Sequence, residues 1–285
     1  MMIKDASHAG LAAIEVVHRR TRLVVVHEVG PRIAWFGAVG GANLLFWDDA
    51  NEHARGGWRL RGGHRLWVTR PLADEAEETY APDNVACRVR RTGDRIAITA
   101  PPDPSRIEKT LAIRTTDDGF VVEHRLRNTG DMLWSGGAWA LTCTKPARDT
   151  RYRIPLDGGD PGWDVVRVVI PRRWGGTHTS RLADPQFAFT DDALEFRARG
   201  DEAKRMVFAP RGTLEMVDPA RGTFVKSAPV IADAAYPEQT NLAVYLGPKR
   251  FMVELETMSP IVSVRPGRTL VHVETWRYQE PTKPV

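Results

Sequence analysis

At 285 residues, with 42% hydrophobic and 27% charged residues, the chain has the composition of a globular protein able to bury a real core, as one large β domain or two small ones. Its longest purely apolar runs, such as Leu23 to Val26, are far too short to cross a bilayer, and no stretch near Met1 reads as a secretory signal, so a cytoplasmic protein without a membrane partner is expected. The net charge of +4 comes mostly from arginines scattered in short pairs such as Arg172 and Arg173 rather than gathered on one stripe, which argues against a nucleic-acid partner.

From Ala12 to Gly37 the run AAIEVVHRRTRLVVVHEVGPRIAWFG reads as three short strands, with turns at His18 to Thr21 and at Gly30 with Pro31. The next run, AVGGANLLFW, sets two glycines before Asn43, Leu44 and Leu45. Between Gly56 and Asn84 the centre is Gly62, Gly63, His64, Arg65, Leu66 and Trp67. It joins glycines that permit close backbone approach to polar and aromatic groups, a set suited to a ligand-holding loop. If this segment is extended, at most two of His64, Arg65 and Trp67 face one way. Tyr80, Pro82, Asp83 and Asn84 read as a turn forming a neighbouring wall.

Residues 85–99 and 106–127 give four more strands, the last two joined by a hairpin turn at Asp117 to Gly119. His124 alternates with Val122 and Leu126 and reads as a packed or surface strand residue. Cys87 and Cys143 stand alone without metal-ligand spacing and read as free thiols, and neither a metal nor a cofactor is expected. Asp157 to Thr179 is loop-rich and holds Trp163, Trp174 and His178, aromatic faces beside arginines that suit stacking on a sugar ring. Strands resume from Phe187, and Lys226 ends one of them. The polar loop ADAAYPEQTN then brings Tyr236 and Glu238 up to Asn241, and it could lie over the same site as the closing strands.

Those closing strands are the clearest in the chain. In FMVELETMSP, alternation sets Met252, Glu254 and Glu256 on one side and Phe251, Val253, Leu255 and Thr257 on the other, so two carboxylates share a face. After Pro260 come a strand at Ile261 to Val264, a tight turn at Arg265, Pro266 and Gly267, and a last strand from Thr269 to Tyr278. No helical period, Walker, Rossmann or zinc pattern is present. Residues 1–278 read as one domain, and residues 279–285 as a disordered tail.

The Leu-Glu-Thr strand, the proline shortly after it, the Pro-Gly turn and the final strand together resemble the C-terminal signature of the galactose mutarotase-like (aldose 1-epimerase-like) superfamily. GPRIAWFGAVGGANLLF, residues 30–46, resembles its Gly-rich turn leading into Asn-Leu-Leu. Within the superfamily the chain looks most like a bacterial group carrying Gly-Gly-His-Arg-Leu-Trp and a closing Glu-Leu-Glu strand. The resemblance implies an all-β fold, a large antiparallel β-sandwich with few short helices. It implies a small carbohydrate or sugar phosphate as ligand and Glu256 as the base that takes the anomeric proton.

The family's acid histidine follows a strand ending in asparagine. Here Arg127 and Asn128 fit that lead-in, but the next strand offers Trp139, Thr142 and Lys145 instead. Either His64 or Lys145 takes the role of acid, or the scaffold no longer performs that reaction. Around Glu256 and His64, the candidate substrate contacts are Arg65, Trp67, Tyr80, Asp83, Trp139 and Lys145. Trp174, Lys226, Tyr236, Glu238, Asn241 and Glu254 complete the set. A binding protein without turnover is the alternative, as is glycan cleavage, which needs a second carboxylate such as Asp83, Asp184 or Glu238 across the bond.

Overall fold

A computed structural model describes residues 2–55, 58–69, 80, 83–158, 165–175 and 177–281. Among these, two large antiparallel sheets face each other as a sandwich. The first runs Met2–His8, Leu11–His18, Thr21–Val26, Arg32–Ala38, His64–Thr69, Trp134–Thr144, Val253–Met258, Leu242–Leu246, Ala203–Phe208 and Arg167–Val169. Val262–Val264 pairs with Trp134–Thr144 off this path. The second runs Phe187–Phe189, Ala193–Phe196, Arg151–Pro155, Thr213–Asp218, Gly222–Ser227, Thr269–Gln279, Gly119–Asn128, Ile107–Thr115, Arg95–Thr99 and Arg88–Thr92. No helix among the described residues is long and apolar enough to cross a membrane.

The period of two along each strand explains the layering. Leu66 and Val68, Val253 and Leu255, and Leu242, Val244 and Leu246 point from the first sheet into the core between the sheets. Ile96, Ile98, Leu111, Ile113, Val122, Leu126 and Trp276 meet them from the second. At its centre Phe36, Phe224 and Trp276 pack with ring centroids 4.8 to 5.2 Å apart. Fully burying a side chain of this kind is worth about 1.5–3 kcal/mol, so the inter-sheet core dominates stability. The intervening residues of the first sheet form separate apolar clusters on its outer face.

Two asparagines of the motifs act as backbone clamps. Asn43 accepts from the Phe36 and Leu45 amides and donates to the Ala34 carbonyl. Asn128 donates to the Met132 and Val264 carbonyls, tying the turn that follows it to the Val262–Val264 strand.

The glycine pair has a steric reason. Gly62 and Gly63 have φ of +80° and +71°, and a Cβ would lie 2.4 Å from the Phe46 carbonyl oxygen and 2.5 Å from that of Ile33. Only glycine passes here, and the chain then enters the middle of the first sheet.

Several expectations change. His64 to Trp67 is a central strand, His64–Thr69, rather than a loop, because both neighbouring strands offer ladder partners. Met2–His8 is an additional edge strand, registered Met2 to Val17, whose polar sequence carries no alternating signal. Phe251 precedes the Val253–Met258 strand and follows a 3₁₀ turn at Pro248–Arg250, so it escapes the alternation that would have turned it inward. Gln279 ends the last strand opposite Thr223, one residue beyond the Tyr278 end expected for it, and Glu280 pairs with Arg20 at 2.9 Å. Residues 282–285, Pro82 and Trp163 lie outside the described residues.

Candidate functional site

The outer face of the first sheet carries a cleft of about 560 Å³. Its floor comes from alternate residues of adjacent strands. His64–Thr69 contributes Arg65 and Trp67, Trp134–Thr144 contributes Trp139 and Leu141, and Val253–Met258 contributes Glu254. Farther out, Leu242–Leu246 brings Tyr245 and Ala203–Phe208 brings Lys204. Two short strand pairs, Ala54–Arg55 with Trp58–Arg59 and Arg173–Trp174 with His178–Thr179, add Trp58, Trp174 and His178, and connecting segments add Tyr80, Glu202, Phe251 and His53.

Aromatic surface dominates one wall. Trp67 packs at 4.0 Å from Tyr80 and edge-on at 5.5 Å from Trp139, with Trp58 6.4 Å away. The Arg65 guanidinium lies 4.1 Å over Trp67 and pairs with Glu254 at 3.0 Å. Cys143 donates to the same Glu254 oxygen at 3.4 Å, and burial pushes its thiol well above the ordinary cysteine range, so it stays protonated. Two donors on this wall, Arg65 Nε and Trp67 Nε1, are buried without a hydrogen-bond partner among the described residues.

The opposite wall is built around acids. The Trp139 indole N–H donates to Glu256 Oε2 at 2.7 Å, and the Lys204 ammonium stands 3.9 Å from that oxygen and 4.8 Å over the Trp139 ring. Glu202 receives the Tyr245 hydroxyl at 2.7 Å and lies 2.7 Å from His178 Nδ1, while the His178 ring stacks on Trp174 at 5.4 Å.

Of the candidate residues, Arg65, Trp67, Tyr80, Trp139, Trp174 and Glu254 therefore gather at the cleft. Glu256 shares their face but is fully buried beneath Trp139 and Lys204. Asp83 lies behind the aromatic wall, bonded to Trp58 Nε1 at 3.2 Å and to the buried Arg32 at 2.7 Å. Lys145 is exposed away from the cleft, and Glu238 sits on an exposed turn. The Tyr236 hydroxyl accepts from the Ile231 amide, and Asn241 clamps Ala209 through both its amide atoms. Asp184 is turned to Gln186, so none of the three acids considered for glycan cleavage lines the cleft.

His64 and Lys226 require a correction. One residue from Arg65, the pleat turns His64 through the sheet into the inter-sheet core, fully buried and on the face opposite Glu254 and Glu256. It cannot share a cleft ligand with them as an acid. Lys226 enters the same core from the second sheet and pairs with Glu274 at 2.8 Å.

Together these residues form a closed relay. Lys226 donates to Thr142 Oγ1 at 2.8 Å, and the Thr142 hydroxyl lies 2.8 Å from His64 Nδ1. His64 Nε2 is 2.7 Å from His124 Nε2, and His124 Nδ1 is 3.1 Å from the His272 carbonyl. A carbonyl only accepts, so His124 holds its proton on Nδ1, its Nε2 accepts from His64 Nε2–H, and Thr142 donates to His64. Glu274 also receives Thr257 Oγ1 and Trp276 Nε1 at 2.5 and 2.7 Å.

Burial opposes the Glu274 charge, yet Lys226 and its neighbours hold that carboxyl well below the usual range. Burial lowers His64 and His124, and takes His272 down to about 3. His64, His124 and Glu274 offer donor atoms within 4.8 Å of one another, a set with metal-ligand chemistry. A divalent ion there would stand beside the Lys226 ammonium and break the His64–His124 bond, so the residues fit a self-satisfied polar core better than a metal centre.

The sequence reading did not single out Trp58, Glu202, Lys204 or Tyr245. Lys204, Tyr245 and Glu254 lie on neighbouring strands, but pairing across long sequence separations brings them together, and no local pattern reports it.

No family model matches the chain, and no curated protein matches it in sequence. Solved structures match its fold. A candidate aldose 1-epimerase from Escherichia coli K12 aligns at 11% identity over 93% of this chain and 98% of that one, with a TM-score of 0.64. A galactose mutarotase related enzyme from Lactobacillus acidophilus aligns at 13% identity over 96% and 99%, with a TM-score of 0.63. A TPR-domain containing protein from Parabacteroides distasonis aligns at 14% identity over 96% of this chain, with a TM-score of 0.61. This chain covers 48% of that protein's length. The chain thus has the galactose mutarotase-like β-sandwich fold.

Proposed function

We propose that the cleft binds a small carbohydrate and that the protein interconverts its anomers. The observation that carries this reading is the pairing of an indole and phenol wall with a nearly buried carboxylate, Glu254, on the same floor. The apolar C–H face of a pyranose packs on indole while its hydroxyls need polar partners. Structural neighbours named as aldose 1-epimerases and galactose mutarotase relatives support the same class of chemistry.

The base is one of the two carboxylates of the Val253–Met258 strand. Glu254 lines the cleft and is assigned the proton acceptor. Glu256, the residue matching the family's Leu-Glu-Thr, sits one pleat farther along and orients Trp139 and Lys204. Proton NMR of freshly dissolved aldoses and hexose 6-phosphates, following exchange between anomers, tests this. Exchange is expected with the wild type and lost with Glu254→Gln. Loss in Glu256→Gln alone would transfer the role of base to Glu256. Absence of exchange with every sugar would refute the enzymatic reading.

Binding without turnover is the second reading. The Arg65 ion pair favours it, because a guanidinium 3.0 Å away already occupies the Glu254 oxygen that would have to take the proton. Line broadening of one sugar without exchange would select it.

A further inference from the structure

We infer that the cleft is built for two linked sugar rings rather than one, so that its ligand is a disaccharide or the end of a longer oligosaccharide. The inference rests on the carbohydrate reading above and narrows its ligand class.

The first sheet sets two aromatic places apart. Cross-strand register puts Trp67 and Trp139 level with Met258, at the end of the Val253–Met258 strand, while Phe251 stands just before its start. A strand rises about 3.4 Å per residue, so the two ends of this one are about 17 Å apart, with Glu254 and Glu256 between them. The apolar side chains divide in the same way. Trp67, Trp139 and Met258 belong to one cluster, against which Tyr80 packs, and Trp174 and Met252 belong to another, against which Phe251 packs. Trp58 touches both.

Charge fills the middle. The Arg65 guanidinium covers Trp67 at 4.1 Å and pairs with Glu254 at 3.0 Å. The Lys204 ammonium lies 4.8 Å over the Trp139 ring and 6.0 Å from that of Trp174. With a cation between those two indoles, one sugar cannot be sandwiched by both.

The aromatic rings left open to a ligand are therefore at the two ends. Trp58 and Tyr80, half-buried and 6.0 Å apart, form one platform, and His53 and Phe251, half-buried and stacked at 4.1 Å with planes 20° apart, form the other. A pyranose lays its apolar C–H face on an aromatic ring and turns its hydroxyls to polar partners. Two platforms with a charged strip between them match two such rings, whose hydroxyls and bridging oxygen meet Arg65, Glu254 and Lys204. A single hexose would leave one platform in water. The cleft volume of about 560 Å³ lies within the range of about 300–1,000 Å³ usual for ligands larger than one small ring.

The test is isothermal titration calorimetry of glucose and galactose against maltose, cellobiose, lactose and melibiose, with Phe251→Ala and His53→Ala beside the wild type. Thermal melting reports the fold, and His53→Ala, which removes a half-buried ring and keeps Phe251 in place, carries the test if Phe251→Ala is unstable. At least one disaccharide is expected to bind the wild type about tenfold more tightly than either monosaccharide, the effect of one further stacked ring, and each substitution is expected to shrink that difference. Equal affinity for monosaccharides and disaccharides overturns the inference and leaves the carbohydrate reading intact, as does a disaccharide preference that survives both substitutions. Binding of no sugar of either size removes the carbohydrate reading and this inference with it.

Discussion

Trp67 shows how one position couples the sheet to the cleft. Its backbone pairs with Trp139 in the middle of the first sheet, while its ring carries the Arg65 guanidinium on one side and meets Tyr80 on another. Arg65 gains from this stack and from Glu254, and it also donates to the Leu60 carbonyl. Replacing Arg65 with methionine would leave Glu254 on the cleft floor without that buried cation. Removing one partner of a buried pair costs about 3–5 kcal/mol. The Arg65→Met variant is therefore expected to unfold at clearly lower urea concentration. A midpoint equal to that of the wild type would show that the pair is not a stabilising contact.

Among elements, the His64–Thr69 strand carries the most consequence, because it inserts between Arg32–Ala38 and Trp134–Thr144 through the Gly62–Gly63 turn. A Gly63→Ala substitution forces a Cβ onto the Ile33 carbonyl at positive φ. Such strain costs about 1–3 kcal/mol, measurable by chemical denaturation. An unchanged midpoint would mean that the turn can relax.

The legibility of the strand follows from its pattern. Alternation correctly limited how many of His64, Arg65 and Trp67 could share a face, and it set Glu254 and Glu256 together. Alternation alone does not say which face is the cleft. The partners that settle it for His64, namely His124 and Glu274, lie on the other sheet and far along the chain. His178, Glu202 and Tyr245 meet only after strand pairing, so their grouping has no local signal.

At the scale of the whole molecule, the sandwich is held by an apolar core that encloses a polar knot of His64, His124, Thr142, Lys226 and Glu274. His64, His124 and His272 are neutral in the fold, with pKa values below the unfolded 6.5 and that of His272 near 3. The unfolded chain therefore takes up protons before the folded one. The stability these groups contribute is complete above about pH 6.5 and is lost as pH falls toward 3, at about 1.4 kcal/mol per pH unit per group. Glu274, held low by Lys226, acts in the same direction once pH drops below the ordinary carboxylate range. The melting temperature is expected to fall steadily between about pH 7 and pH 5, and a flat profile would show that the histidines titrate alike in both states. Lys226→Met, which strands Glu274, is expected to cost about 3–5 kcal/mol.

The central claim, that the outer cleft is a carbohydrate site, is tested most directly by saturation-transfer NMR of an aldose panel against the wild type and Trp67→Ala. The account predicts transfer to the ring C–H protons of at least one sugar and its loss in the variant, because Trp67 forms the middle of the aromatic wall. Transfer to no sugar, or equal transfer in both proteins, would contradict it.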